Sequence, residues 1–271
     1  MGFQLSSREY KSQNSTVQVG AITVGSSNLV VMAGPCTVED ENSLLQTALS
    51  VKASGAHILR GGAFKTRTAP DSLQGFGETA LRMLAKAKAT TGMPIVTEIT
   101  DSHDLALIGQ YADIIQIGAR NMQNTALLKA VGKCKYPVLL KRGFSNTIDE
   151  WLAAADYIFA GGNEQIILCE RGIRTYENST RFSLDILSIP VVKSRSHLPI
   201  IVDPSHAAGR REFVSAASKA AIAAGADGLL IEVNYNPETA EVDGRQTITT
   251  AQFDELMPQL RTMACALGRE L

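Results

Sequence analysis

The sequence predicts a (β/α)8 barrel preceded by a short β-hairpin, and three observations carry that prediction. Short β-rich runs recur from Leu29 onward, helix-period segments lie between them, and the 271 residues suit the roughly 250 that such a barrel occupies. The strand candidates are LVVMAG from Leu29, HILRGG from His57, PIVTEI from Pro94, ADIIQIG from Ala112, PVLLKRG from Pro137, EQIILCE from Glu164, PIIVDPS from Pro199 and DGLLIEV from Asp227. Each ends in polar or glycine-rich residues, as a strand that delivers a loop to one end of a barrel should. Between them, Ser43 to Ser54, Gly77 to Thr91, Thr147 to Ala160, Glu212 to Ala224 and Ala251 to Ala266 carry apolar residues at helical spacing. An open doubly wound sheet is the alternative arrangement of the same units. Ahead of the first run, TVQVGAITVG alternates apolar and polar residues across a glycine, the pattern of a hairpin, here expected to cover the barrel bottom. Residues 1–28 are therefore assigned to an N-terminal extension and hairpin, and 29–271 to the barrel. The first dozen residues are polar and read as mobile.

Composition narrows the function classes. Hydrophobic residues make up 45% and charged residues 20%, with a formal net charge of −1, which suits a soluble globular chain and lacks the basic excess of a nucleic-acid binder. No apolar run is long enough for a membrane span or a signal peptide. The four cysteines, Cys36, Cys134, Cys169 and Cys265, lack paired short spacings, so a reducing cytoplasm is the expected location.

Barrel enzymes carry their working groups at the C-terminal strand ends. Cys36 follows the first run, His206 the seventh, and Glu232 lies near the end of the eighth, with Asp243 in the loop beyond. Closure makes these strands neighbours, so a thiolate, an imidazole and two carboxylates could share one divalent ion; manganese, iron, cobalt and zinc suit such a mixed donor set better than calcium. The other strand ends are cationic: Arg60 with Lys65 and Arg67, then Arg120, Lys141 and Arg171. An arc of guanidinium forks and lysine point charges suits a small substrate with several anionic groups. Glu98, near the end of the third run, is a carboxylate among these cations, able to orient a water. His57, His103, His197, Cys134, Cys169 and Cys265 lack this context and are given no role.

At these residues the chain closely resembles the 3-deoxy-D-arabino-heptulosonate 7-phosphate synthase family, in the short form without an added regulatory domain. AGPCTVE around Cys36, RGGAFKTRTAP from Arg60, IGAR ending at Arg120, LLKRG with Lys141, ERGIRT with Arg171, DPSHAAG with His206 and GLLIEVNYNPE with Glu232 carry the resemblance from about Val17 onward. It implies a barrel, a divalent metal with manganese first among the candidates, and condensation of phosphoenolpyruvate with erythrose 4-phosphate, the first step of the shikimate pathway. Cys36, His206, Glu232 and Asp243 match the family's metal ligands. Arg60, Lys65, Lys141, Arg120 and Arg171 match the residues that hold phosphoenolpyruvate, with a backbone contact from Ala119. Arg67 and Thr68 match the aldose site, and Asp203 its hydroxyl end or the metal surroundings. Lys141 and Glu98 are the candidates for proton transfer and for positioning the attacking water.

Thr66 and Ala69 stand where the family's KPRTSP segment has proline and serine, and Asn234 where it commonly has histidine, all on the acceptor side. The resemblance therefore also admits 3-deoxy-D-manno-octulosonate 8-phosphate synthase, which takes arabinose 5-phosphate, or a paralogue using a modified aldose. A noncatalytic anion sensor is the reading from a different class. Family membership further implies a homo-oligomer, dimer or tetramer.

Overall fold

The computed structural model describes residues 2–66, 69 and 71–271. Two short strands, β1 (Val17–Val19) and β2 (Ile22–Val24), pair antiparallel across a turn that opens with Gly20. Its φ of 58° is the positive value that a two-residue hairpin turn needs. The barrel strands follow: β3 (Val30–Gly34), β4 (Ile58–Arg60), β5 (Ile95–Ile99), β6 (Ile114–Ile117), β7 (Val138–Lys141), β8 (Ile166–Glu170), β9 (Ile200–Val202) and β10 (Gly228–Asn234). Each pairs parallel with the next, and β10 pairs with both β9 and β3, which closes the ring and excludes the open sheet. A two-residue strand, β11 (Ile248–Thr249), pairs parallel with the end of β10.

Side chains alternate between two cores, as the period of a strand requires. On β3, Val30 and Met32 point into the barrel, whereas Val31 and Ala33 face the helical layer. The hairpin residues Val17, Val19 and Val24 pack into the inner core with Ile58, Val96, Ile114 and Ile167. The hairpin thus plugs the end of the barrel opposite the loops that follow the strands. Cys169 packs in that same interior.

The helices are α1 (Glu41–Ser54), α2 (Gly77–Thr91), α3 (Leu105–Ile108), α4 (Thr125–Gly132), α5 (Ile148–Phe159), α6 (Ser188–Arg195), α7 (Pro204–Ala208), α8 (Val214–Ala223) and α9 (Thr250–Ala266). Local sequence fixes several boundaries. Asp40 caps α1, and reciprocal capping boxes, Thr147 with Glu150 and Thr249 with Gln252, start α5 and α9. The segment expected from Glu212 begins as a 3-10 turn over Arg211–Phe213 before α8.

The N-terminal segment departs from expectation: it is tied down rather than mobile. The backbone N–H groups of Gln4, Leu5 and Ser6 donate to the Asp156 carboxylate at 2.5, 3.1 and 2.8 Å. Phe3 is buried and Ser7 forms an antiparallel bridge to Ser196. Polar composition misled here because the contacts are backbone amides meeting a distant carboxylate, which no local pattern records.

Candidate active site

Loops after β3, β9 and β10 bring four distant residues together. One ligand-capable atom from each of Cys36, His206, Glu232 and Asp243 lies within 4.8 Å of the other three. The approach depends on Gly34, at φ 152°, where a Cβ would sit 2.1 Å from the Arg60 carbonyl oxygen, so only glycine lets β3 and β4 run this close. His206 stands in α7, a single turn started by the N-cap Asp203 and by proline at its first position. Asp203 accepts from the His206 backbone N–H at 2.9 Å and pairs with Nδ1 at 2.7 Å. The ring held this way turns Nε2 toward Glu232 Oε1 at 3.4 Å and Asp243 Oδ2 at 3.8 Å.

Charge in the cluster is balanced by neighbours. Burial, reinforced by Glu232, pushes the Cys36 thiol far above its ordinary value, while Lys65 Nζ donates to its sulfur at 2.8 Å. Burial alone would raise Glu232, but His206 and Arg60 outweigh it and keep that carboxyl below its ordinary value. Asp243 is held well below the usual carboxylate range: its burial is overcome by His206, Arg181 and Lys65. Asp243 is also the one non-glycine among the described residues with a positive φ, 57°, a conformation that asparagine and aspartate tolerate best. The donor set fits a divalent transition ion: soft and hard ligands converge, and the imidazole has its second nitrogen fixed by a carboxylate.

The cluster opens, through His206 and Asp243, onto a cavity of about 220 Å³ whose cationic side is Lys65, Arg120, Lys141, Arg171 and Arg181 and whose anionic side is Glu98 and Asp243. Ala119, Gln116 and Phe144 also line it. Lys141 Nζ donates to Asp203 Oδ2 at 2.5 Å, so Asp203 links the cationic wall to His206. Burial, with Arg181 nearby, brings Arg171 down to about 10; it remains charged at neutral pH. Glu98 accepts from Gln116 Nε2 at 3.2 Å, and its Oε1 approaches Gly118 so closely that a Cβ there would lie 2.0 Å away.

The sequence-derived residues thus converge with one difference in placement. Arg60 is buried outside the cavity lining, where Nη1 donates to Glu232 Oε1 at 3.2 Å and to the Pro35 carbonyl at 2.6 Å. Arg67 and Thr68 fall outside the described residues.

Sequence reasoning missed Arg181 and Gln246. Arg181 Nη1 donates to Asp243 Oδ1 at 3.0 Å and to Gln246 Oε1 at 2.7 Å, and Gln246 Nε2 donates to Glu232 Oε2 at 2.6 Å. The pair braces both carboxylates. Arg181 gave no signal, lying 11 residues beyond Glu170, the last residue of β8; the short spacing of Gln246 from Asp243 was the one readable hint.

Fold and site together define a (β/α)8-barrel enzyme in which a candidate metal cluster faces a cationic wall across a small cavity. The chain belongs to the DAHP synthetase I family, whose family model matches residues 9–267. It is 48% identical over 266 residues to phospho-2-dehydro-3-deoxyheptonate aldolase of Thermotoga maritima, covering 98% of this chain and 79% of that protein. The crystal structure of that DAHP synthase superposes with a TM-score of 0.96 over 99% of this chain and 78% of the other. A truncated form of the Thermotoga maritima enzyme, at 46% identity, gives 0.93 over 100% of this chain and 99% of the other. A 2-dehydro-3-deoxyphosphooctonate aldolase of Trichlorobacter lovleyi is 30% identical, over 91% of this chain and 97% of its own.

Proposed function

We propose that this chain condenses phosphoenolpyruvate with erythrose 4-phosphate to give 3-deoxy-D-arabino-heptulosonate 7-phosphate and inorganic phosphate, the transferase step that opens the shikimate pathway. The observation that carries the reading is the cavity, which sets the Cys36, His206, Glu232 and Asp243 cluster against Lys65, Arg120, Lys141 and Arg171. Similarity to the Thermotoga maritima DAHP synthase over nearly the whole chain supports the same conclusion.

In this reading Cys36, His206, Glu232 and Asp243 hold a divalent ion, with manganese the first candidate and iron, cobalt or zinc next. Such an ion acts as a Lewis acid on the acceptor's aldehyde carbonyl. Lys141, Arg171, Arg120 and Lys65 clamp the carboxylate and phosphate of phosphoenolpyruvate, with the Ala119 backbone beside them. Arg60, the remaining member of the set that the resemblance assigns to phosphoenolpyruvate, lies behind the cavity wall with its Nε buried and without a partner. Arg67 and Thr68 receive the aldose phosphate, and Asp203 fixes His206 and Lys141 in register. C3 of the enol phosphate bonds to the aldehyde carbon while Lys141 supplies a proton to the new hydroxyl. Glu98, held by Gln116, takes a proton from the water that adds at C2. Cleavage of the C2–O bond of the resulting hemiketal phosphate then expels inorganic phosphate and leaves the ketone.

The protein works as a homo-oligomer, dimer or tetramer, in the cytoplasm, where the four cysteines, all free here, stay reduced. The test is phosphate release from phosphoenolpyruvate with either erythrose 4-phosphate or arabinose 5-phosphate, before and after chelation and manganese addition. Metal-restored turnover with the four-carbon sugar alone is expected. Turnover with only the five-carbon sugar moves the assignment to the octulosonate enzyme, and binding without turnover to an anion sensor.

A further inference from the structure

Arg171 is held in an unusual way for a buried cation. Its guanidinium carbon lies 4.2 Å from the Phe182 ring centroid and 4.9 Å from that of Phe144. The two rings stack at 5.1 Å with 12° between their planes, and Arg171 Nη1 is buried without a hydrogen-bond partner. Buried guanidinium groups are ordinarily oriented by carboxylates. Arg142, on the next residue after β7, follows that rule, donating to Glu170 at 2.9 Å and Asp185 at 2.8 Å. A carboxylate orients a cation and cancels its charge. Aromatic faces orient it through the ring quadrupole and leave its charge and its N–H groups for a ligand.

The backbone is arranged to keep the rings there. Phe182 N donates to the Ala207 carbonyl at 3.0 Å, and Phe144 O accepts from Arg174 N at 2.7 Å. Gly172 has φ 87°, and a Cβ there would sit 2.7 Å from Phe182 Cβ, so the residue after Arg171 leaves room for the ring. Phe144 also lines the cavity with Arg171.

We propose that Phe144 and Phe182 are positioning residues: an uncharged platform that aims Arg171 at the phosphate or carboxylate of the bound substrate without competing for it. The proposal rests on the phosphoenolpyruvate reading above, and the experiment separates the two by titrating both phosphoenolpyruvate and inorganic phosphate. Phe182→Leu keeps an apolar side chain but removes the π face, and Phe182→Tyr keeps the face. In the metal-loaded enzyme Phe182→Leu should weaken phosphoenolpyruvate binding, by calorimetry and by KM, about 5- to 30-fold, a larger effect than its loss in kcat. Phe182→Tyr should restore binding to near the parent value, and inorganic phosphate should show the same ordering. Binding by Phe182→Leu equal to the parent for both anions, or loss in Phe182→Tyr as large as in Phe182→Leu, overturns the platform. A parent protein that binds phosphate but not phosphoenolpyruvate overturns the substrate reading alone, and the phosphate series still decides on the rings. Should Phe182→Leu fail to fold by circular dichroism, Phe182→Met removes the same face and is scored by the same criteria, because Phe144 also carries Arg120 at 5.1 Å and Arg174 at 5.3 Å.

Discussion

At the scale of single residues, the proposed reaction asks some groups to hold charge and others to move protons. Asp203 is fully buried and held well below the usual carboxylate range: His206 and Lys141 outweigh the burial that would raise it. It is a fixed anion. Glu98, by contrast, lines the cavity and is held by a neutral amide from Gln116. In a Glu98→Ala variant we expect kcat to fall about 10²- to 10⁴-fold, the usual loss for a general acid or base, with much less change in phosphoenolpyruvate affinity. Equal loss in both, by steady-state kinetics and direct titration, would sink the assignment. Most of these residues were legible because a barrel gathers its C-terminal strand ends at one mouth, so charges at those ends fall together. Phe144 and Phe182 were not, since an aromatic in a loop reads as packing until the guanidinium beside it is seen.

At the scale of elements, the loops after β8 and β10 act on each other. The former brings Arg181 and the latter Asp243 and Gln246, and their hydrogen bonds reach both carboxylates of the cluster. Residues that orient ligands from behind typically set metal affinity by 10- to 100-fold. Arg181→Ala should therefore weaken manganese binding about 10- to 100-fold in a chelator competition with the metal-stripped protein, and Arg181→Lys less. Unchanged affinity in Arg181→Ala would show that the loop between them needs no brace. The barrel strands and the hairpin were legible because their periods are local. The Arg181 brace was not, because Arg181 and Gln246 are 65 positions apart and each alone is an ordinary loop residue.

At the scale of the whole molecule, stability should depend on pH through histidines remote from the cavity. Burial lowers both His57 and His197 below their ordinary 6.5. Below that value the unfolded chain binds protons that the folded chain refuses, so stability is complete above it and declines as pH falls through 6.5 toward the lowered folded values. His197 Nε2 lies 2.9 Å from the Leu5 carbonyl and Nδ1 2.9 Å from Ser15 Oγ, and it is burial, not these contacts, that disfavours the charged ring. The thermal midpoint is expected to drop by a few degrees between pH 7.5 and 5.5, with a shallower drop for the His57→Gln, His197→Gln double variant. An identical slope in that variant would assign the effect elsewhere.

Closure of the ring has a further meaning for a chain made from one end to the other. Cys36 and Asp243 are 207 positions apart, and they meet because β10 docks between β9 and β3. Until that last strand leaves the ribosome, the nascent chain offers Cys36 and then His206 without Glu232 or Asp243. The four-donor cluster therefore assembles only after the chain has been made through Asp243 and β10 has docked, and any shorter stretch of it holds at most a partial set.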